Sequence, residues 1–190
     1  QLPLDQVELP INKPGDLDDI PPGGQKMAAS RREDLRMIEQ YDNLQHTVQS
    51  YLASIAHADT LLGLLMEAFD KSDYKDNTVI VFWSDHGYAF GEKDHLAKDT
   101  LWERSTHVPF IVVAPGITTP GSRSSRPVDL TCLYPTLTQL CGLPIPGGLD
   151  GVDITPLLHD PDLYWDQPAI IDFLYGNTAI RTESWRYISY

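Results

Sequence analysis

Basic residues are scarce in this chain: 14 Lys and Arg stand against 27 Asp and Glu, a net charge of −13 over 190 residues. A nucleic-acid surface needs a basic stripe to meet phosphates, so that class of partner is not expected. A polyanionic ligand would need a local basic pocket to overcome the overall field. Long apolar runs are also lacking. No continuous stretch approaches the roughly 18–20 apolar residues that cross a bilayer, so no membrane span is expected. The chain opens Gln1-Leu2-Pro3-Leu4, without Met or a basic leader, and no signal peptide is read from it. Cysteine is limited to Cys132 and Cys141. They fall in one expected helix, roughly 13 Å apart at ~1.5 Å of rise per residue. A disulfide needs Cα atoms within about 7 Å, which excludes a bridge between them and leaves buried free thiols as the expectation. The apolar fraction of 42% is ordinary, and a chain of this length can bury the core of one domain.

What is present centres on Val79-Ile80-Val81-Phe82-Trp83, a continuous apolar, β-rich run. It reads as a strand buried on both faces, as in a parallel α/β sheet. The run stops at Ser84-Asp85-His86-Gly87. Polar groups at the carboxyl end of a buried strand sit where open α/β sheets bind ligands. Adjacent side chains diverge in extended chain, but a sharp turn at Gly87 lets Asp85 and His86 face one ion. Taken alone, Asp-His-Gly fits an ordinary polar turn equally well.

The chain reads as a single domain. Residues 1–29 form an irregular connector, rich in Pro, Asp and Gly up to Gly24. Residues 30–158 form an α/β core portion. A helical stretch spans 30–70, with Ser30 as N-cap and Glu33 completing a capping box, either as one long helix or as two joined near 45–50. Helix followed by parallel strand is the repeat of a doubly wound sheet. A short helical turn is expected over 99–103, and a second buried strand over Phe110–Ala114. Asp129 caps a helix that Gly142 ends. Residues 156–158 form a turn or short helix. Residues 159–190 carry strands at 169–174, 178–181 and 186–190, an antiparallel patch at the C-terminal end. His46 and His57 read as helix-surface or packed histidines.

Further motifs flank Asp-His-Gly. Gly91-Glu92-Lys93-Asp94-His95-Leu96-Ala97-Lys98 follows it, then Thr106-His107-Val108-Pro109 opening a strand closed by Pro115-Gly116. Asp150-Gly151-Val152-Asp153-Ile154-Thr155-Pro156-Leu157-Leu158 and Ile180-Arg181-Thr182 come later. In this order the pieces resemble the sulfatase family of the alkaline-phosphatase superfamily, in spelling nearest its iduronate-2-sulfatase-like branch. The resemblance runs from about Tyr51 to Tyr190. It implies an alkaline-phosphatase-like α/β fold with a mostly parallel sheet flanked by helices, of which this chain is an incomplete part.

The resemblance also implies a chemistry. Asp85 and His86 match half of a divalent metal site, and Lys98 matches a sulfate-contacting lysine. Position 93 is His in several branches and Lys here, so Lys93 or His95 is a candidate for the acid or sulfate-binding role. His107 reads as structural or at the pocket edge. The implied metal is calcium, although His86 stands where many relatives have Asn, and imidazole suits manganese or zinc better. The family's nucleophile is a formylglycine made in a Cys/Ser-x-Pro-x-Arg motif beside an Asp-Asp pair. That constellation has no counterpart here, so it is expected in an N-terminal half of the same domain outside this chain. The implied substrate is a sulfated small molecule or glycan. The implied location is periplasmic, secreted or lysosomal. Two other readings compete: a phosphoesterase or phosphonate monoester hydrolase of the same superfamily, and a truncated chain without catalysis.

Overall fold

A computed structural model describes residues 2–190. The chain divides into two compact units. The first holds the stretch up to Lys75 together with Asp85–Val108, and the second holds Asp76–Ser84 with Pro109–Tyr190.

The first unit is built on three helices: α1 (Pro22–Ala29), α2 (Arg32–Gln40) and α3 (Leu44–Asp70). Residues 22–29 are therefore helical, where the sequence reading had irregular chain. Pro22 opens α1 at a position where a missing N–H costs nothing. Ser30 closes α1 rather than capping α2: its Oγ donates to Met27 O at 2.8 Å. The α2–α3 break falls at 41–43, earlier than expected. Asp42 takes a left-handed φ of 52°, and Asn43 N donates back to Ile38 O at 3.0 Å. This is a Schellman-type closure, and Asp tolerates its left-handed position better than most residues. Leu35 of α2 and Val48 of α3 are buried against Val7, Phe90 and Leu96. The extended N-terminal chain is tied down by Gln45 Nε2, which donates to Leu4 O at 2.9 Å and Val7 O at 3.0 Å. His46 and His57 lie on the exposed helix surface. By length and composition α3 could cross a membrane, although no continuous apolar run announced it, and its Leu61, Leu64 and Leu65 are exposed.

The second unit pairs β1 (Ile80–Trp83) with β4 (Phe110–Val113), in register Ile80↔Val113 to Trp83↔Phe110. The pairing is antiparallel, which corrects the expected parallel repeat. A parallel pair needs a crossover that carries the chain back to its starting end. Here the excursion leaves and re-enters at one end, where Ser84 N donates to Pro109 O at 3.3 Å. Nor are the strands buried on both faces: Phe82, Trp83, Ile111 and Val113 are exposed. The C-terminal patch is antiparallel as expected, a meander of β5 (Ala169–Phe173), β6 (Asn177–Arg181) and β7 (Arg186–Ser189). Asp129 joins it to the helical part. Its Oδ1 accepts from Thr131 N at 3.1 Å at the start of a 3₁₀ turn, and its Oδ2 accepts from Ile170 N at 3.2 Å. The turn runs into α5 (Leu133–Leu140), and Gly142 at φ 66° ends it. The short helix over 156–158 is α6 (Thr155–His159), which packs Leu157 with Cys132 and Ile154.

The two thiols differ. Cys132 is buried, whereas Cys141, at the end of α5, is exposed, contrary to expectation. Burial pushes the Cys132 thiol up to about 12, with the Asp129 carboxylate adding to the rise. An unfolded thiol ionises near ~8.5, so this term stabilises the fold in full below that pH and fades as pH climbs toward the folded value. A thiol reagent at pH 8 is expected to label Cys141 rapidly and Cys132 only on unfolding, as followed by mass spectrometry. Equal labelling of both in the folded protein would contradict the buried placement.

Candidate active site

Every residue singled out for chemistry lies in the Asp85–Val108 segment of the first unit. Its backbone is anchored at Gly87, whose N–H donates to Ser105 O at 2.8 Å. Gly87 does not have a positive φ; glycine is needed there because a Cβ would fall 1.8 Å from Arg104 O. The role expected of Gly87 was a sharp turn, and the observed role is close backbone approach. Ser105 belongs to α4 (Glu103–Thr106), a single helical turn slightly later than the one expected.

The chain then forms a small hairpin, β2 (Ala89–Phe90) with β3 (Leu96–Ala97), which the sequence reading missed. Strands this short show no period to read. The hairpin tip is wound tightly. Gly91 N donates to His95 O at 2.9 Å, and Lys93 and Asp94 have φ of 55° and 51°. Ala97 and Asp99 are left-handed too, at 71° and 73°. Non-glycine residues cost about 1–2 kcal/mol each in that region, so such a loop persists only where its surroundings hold it.

The surroundings do hold it, through charge. Arg104 Nε meets Glu92 Oε1 at 3.0 Å, Lys93 Nζ meets Asp16 Oδ2 at 3.0 Å, Arg32 Nη2 meets Asp94 Oδ2 at 3.5 Å, and Arg31 Nη2 meets Asp99 Oδ2 at 3.0 Å. Lys93 also sits 5.6 Å from the centroid of the Trp102 ring. The hydrogen bond to Asp99, with a second to Asp34, raises the Arg31 guanidinium above its ordinary value. Asp16, Arg31 and Arg32 were not singled out in the sequence. Asp16 lies 77 residues from Lys93 and Arg31 lies 68 from Asp99, beyond the reach of any local pattern.

Lys98 is the exception. Among the described residues it has no carboxylate partner, and its Nζ donates to His86 Nε2 at 2.8 Å. His86 Nδ1 lies 2.9 Å from Gly87 O. A carbonyl only accepts and an ammonium only donates, so both contacts require the tautomer with Nδ1 protonated and the Nε2 lone pair turned to Lys98. Imidazoles that ligate metals are held in this way, with the other ring N–H on a backbone carbonyl. Asp85 Oδ2 lies 3.4 Å from the same Nε2, and its side chain is 80% exposed. The cation beside this pair is the Lys98 ammonium, and a carboxylate oxygen with an imidazole nitrogen is also a donor set of the kind that divalent metals take. No group of three or more His, Cys, Asp or Glu comes together among the described residues. The structure thus brings Asp85, His86 and Lys98 together. His95 is fully buried, with both ring nitrogens on backbone carbonyls, Ala28 O at 3.1 Å from Nδ1 and Lys98 O against Nε2. His107 is exposed, with Nδ1 at 3.2 Å from Glu103 Oε1.

Residues 18–143 match the family model described as Sulfatase. The chain is 33% identical over 194 residues to a sulfatase of Formosa agariphila, covering 99% of this chain and 37% of that protein. It resembles the solved structure of BT4656 in complex with its substrate D-glucosamine-2-N,6-O-disulfate, at 25% identity and a TM-score of 0.69, over 77% of this chain and 32% of that one. It also resembles the phosphonate monoester hydrolase of Agrobacterium radiobacter, at 27% identity and a TM-score of 0.66, over 77% of this chain and 33% of that one. The chain spans about a third of the length of the curated relatives it matches.

Proposed function

The chain belongs to the sulfatase family, and from that premise we propose that it supplies part of a site hydrolysing sulfate esters. The observation that carries the proposal is the convergence of the Lys98 ammonium and the Asp85 carboxylate on one ring nitrogen of His86. Sulfate ester cleavage puts negative charge on the sulfuryl oxygens and the leaving oxygen, and preorganised cations stabilise it. Asp85 and His86 would hold a divalent metal, with Lys98 beside it as a fixed positive charge for the anionic group. A metal held there would supply further positive charge at the sulfuryl group. Calcium takes six to eight oxygen ligands, so more ligands must come from other residues. Manganese and zinc fit His86 better.

In this reading the formylglycine nucleophile and the remaining ligands lie in residues outside this chain, in the same domain. Exposed apolar residues lie on α3 in the first unit and on the β1–β4 pair in the second, and each set is a face that the remainder would cover. The substrate class is a sulfated small molecule or glycan, as BT4656 is described with a glucosamine disulfate. The overall acidity makes Lys98 the more important, because the chain offers few other cations for a sulfated ligand.

The test is turnover of an aryl sulfate by the full-length polypeptide that carries these residues, with calorimetry against calcium, manganese and zinc. Asp85→Ala is expected to abolish turnover and to lower metal affinity at least tenfold. Unchanged affinity for all three ions would remove Asp85 from the metal site. The second reading is phosphonate monoester hydrolysis, favoured by the likeness to the Agrobacterium enzyme. Preferential turnover of a phosphonate monoester over the aryl sulfate would establish it.

A further inference from the structure

We propose that His95 is a positioning residue: it braces the backbone of Lys98 against α1 and so aims the Lys98 ammonium at His86. This rests on the reading of Lys98 as the anion contact. Ala28 is in the last turn of α1, where carbonyls have no partner within the helix, and it is fully buried. His95 Nδ1 meets that carbonyl at 3.1 Å, across 67 residues of chain. The other ring nitrogen meets Lys98 O. The ring therefore bridges a rigid helix end and the peptide that leaves Lys98.

A buried histidine with satisfied nitrogens is usually only part of a core. Three observations give this one a further role. First, Lys98 is flanked by two left-handed residues, Ala97 at φ 71° and Asp99 at φ 73°. The peptide between Lys98 and Asp99 is thus strained, and the hydrogen bond to Lys98 O holds it. Second, the same ring reaches the Ala28 carbonyl at the end of α1, so Lys98 O is tied to a helix rather than to another part of its own loop. Third, Arg31 clamps the side chain of Asp99, the residue that follows Lys98, at 3.0 Å. With its carbonyl held by His95 and the next residue held by Arg31, the Lys98 side chain reaches His86 at 2.8 Å from a fixed peptide. The Trp102 ring, edge-on to His95 at 6.2 Å, closes the remaining side.

The experiment is a double-mutant cycle of His95→Phe and Lys98→Ala in the full-length polypeptide, read by aryl sulfate kinetics and by ¹⁵N resonances of the His86 ring. Phenylalanine keeps a ring in the cavity and removes both hydrogen bonds. His95→Phe is expected to lower kcat at least tenfold with little change in KM, and to add almost nothing when Lys98 is already Ala. It should also move the His86 resonances to where Lys98→Ala puts them. His95→Gln, which keeps a donor, should lie between wild type and His95→Phe, and it takes over the test if the Phe variant does not fold. A kcat loss that multiplies in full with Lys98→Ala would overturn the brace, as would wild-type His86 resonances in the folded variant. If Lys98→Ala itself leaves kcat unchanged, the functional reading fails, and the His86 resonances still decide whether His95 aims Lys98.

Discussion

Lys98→Ala in the full-length polypeptide is expected to lower kcat for an aryl sulfate by roughly a hundredfold or more, with little change in melting temperature. Removing one preorganised donor from a developing oxyanion typically costs about 10²–10³ in rate. The stability side is small because Lys98 is exposed and makes no ion pair with a carboxylate among the described residues. The effect should fall on kcat more than KM, since charge builds up in the transition state. Lys98→Arg should restore only part of the rate, because a planar fork does not replace a compact ammonium at a site shaped for a point charge. Lys71→Ala is the control: Lys71 pairs with Glu67 at 2.6 Å on the exposed end of α3 and should leave the rate unchanged. Near wild-type kcat/KM in Lys98→Ala would remove Lys98 from the anion site. The assignment would then pass to Lys93, whose ammonium is already held by Asp16.

Gly87→Ala is expected to be among the most damaging single-methyl additions in the chain. The new Cβ would lie 1.8 Å from Arg104 O and 2.9 Å from its carbonyl carbon. Both are backbone atoms, with no flexible side chain to swing aside, so the segment or α4 must retreat by more than an ångström. Overpacking of this kind costs about 3 kcal/mol or more. The retreat breaks the Gly87 N to Ser105 O hydrogen bond and carries the Gly87 carbonyl away from His86 Nδ1. Activity should therefore fall further than lost stability alone explains, since a misplacement of about 1 Å can cost 10²-fold. Denaturant unfolding and kcat measured on the same variant check both parts. A fold as stable as wild type would mean that the approach of residues 104–105 is looser than described. Gly63→Ala is the matching control, because nothing lies within 4 Å of its Cβ position.

Several features were legible in the sequence because they depend on neighbouring residues. The Asp129 cap, the Gly142 stop and the C-terminal meander follow from turn chemistry and short-range alternation, and the structure has all three. The order of Asp-His-Gly, the Gly-Glu loop with its lysine and the Val-Pro strand is linear too, and it pointed to the family that the comparisons then supported. Strand direction was not legible. An apolar run such as Val79–Trp83 has the same composition in a parallel or an antiparallel pair, and only the path of the chain between Ser84 and Pro109 decides which forms. The different environments of nearby residues were equally hidden. Lys93, His95 and Lys98 share one polar loop, and nothing local distinguishes them. Asp16 takes Lys93, the end of α1 takes His95, and Lys98 is left to reach His86. Sequence by itself determined the family, the ends of the helix between Asp129 and Gly142 and the residue types available for chemistry, because those follow from short-range propensity and motif order. The tertiary structure alone decided which of those residues meet, because ion pairs and hydrogen bonds between residues far apart in sequence depend on where the folded chain carries them.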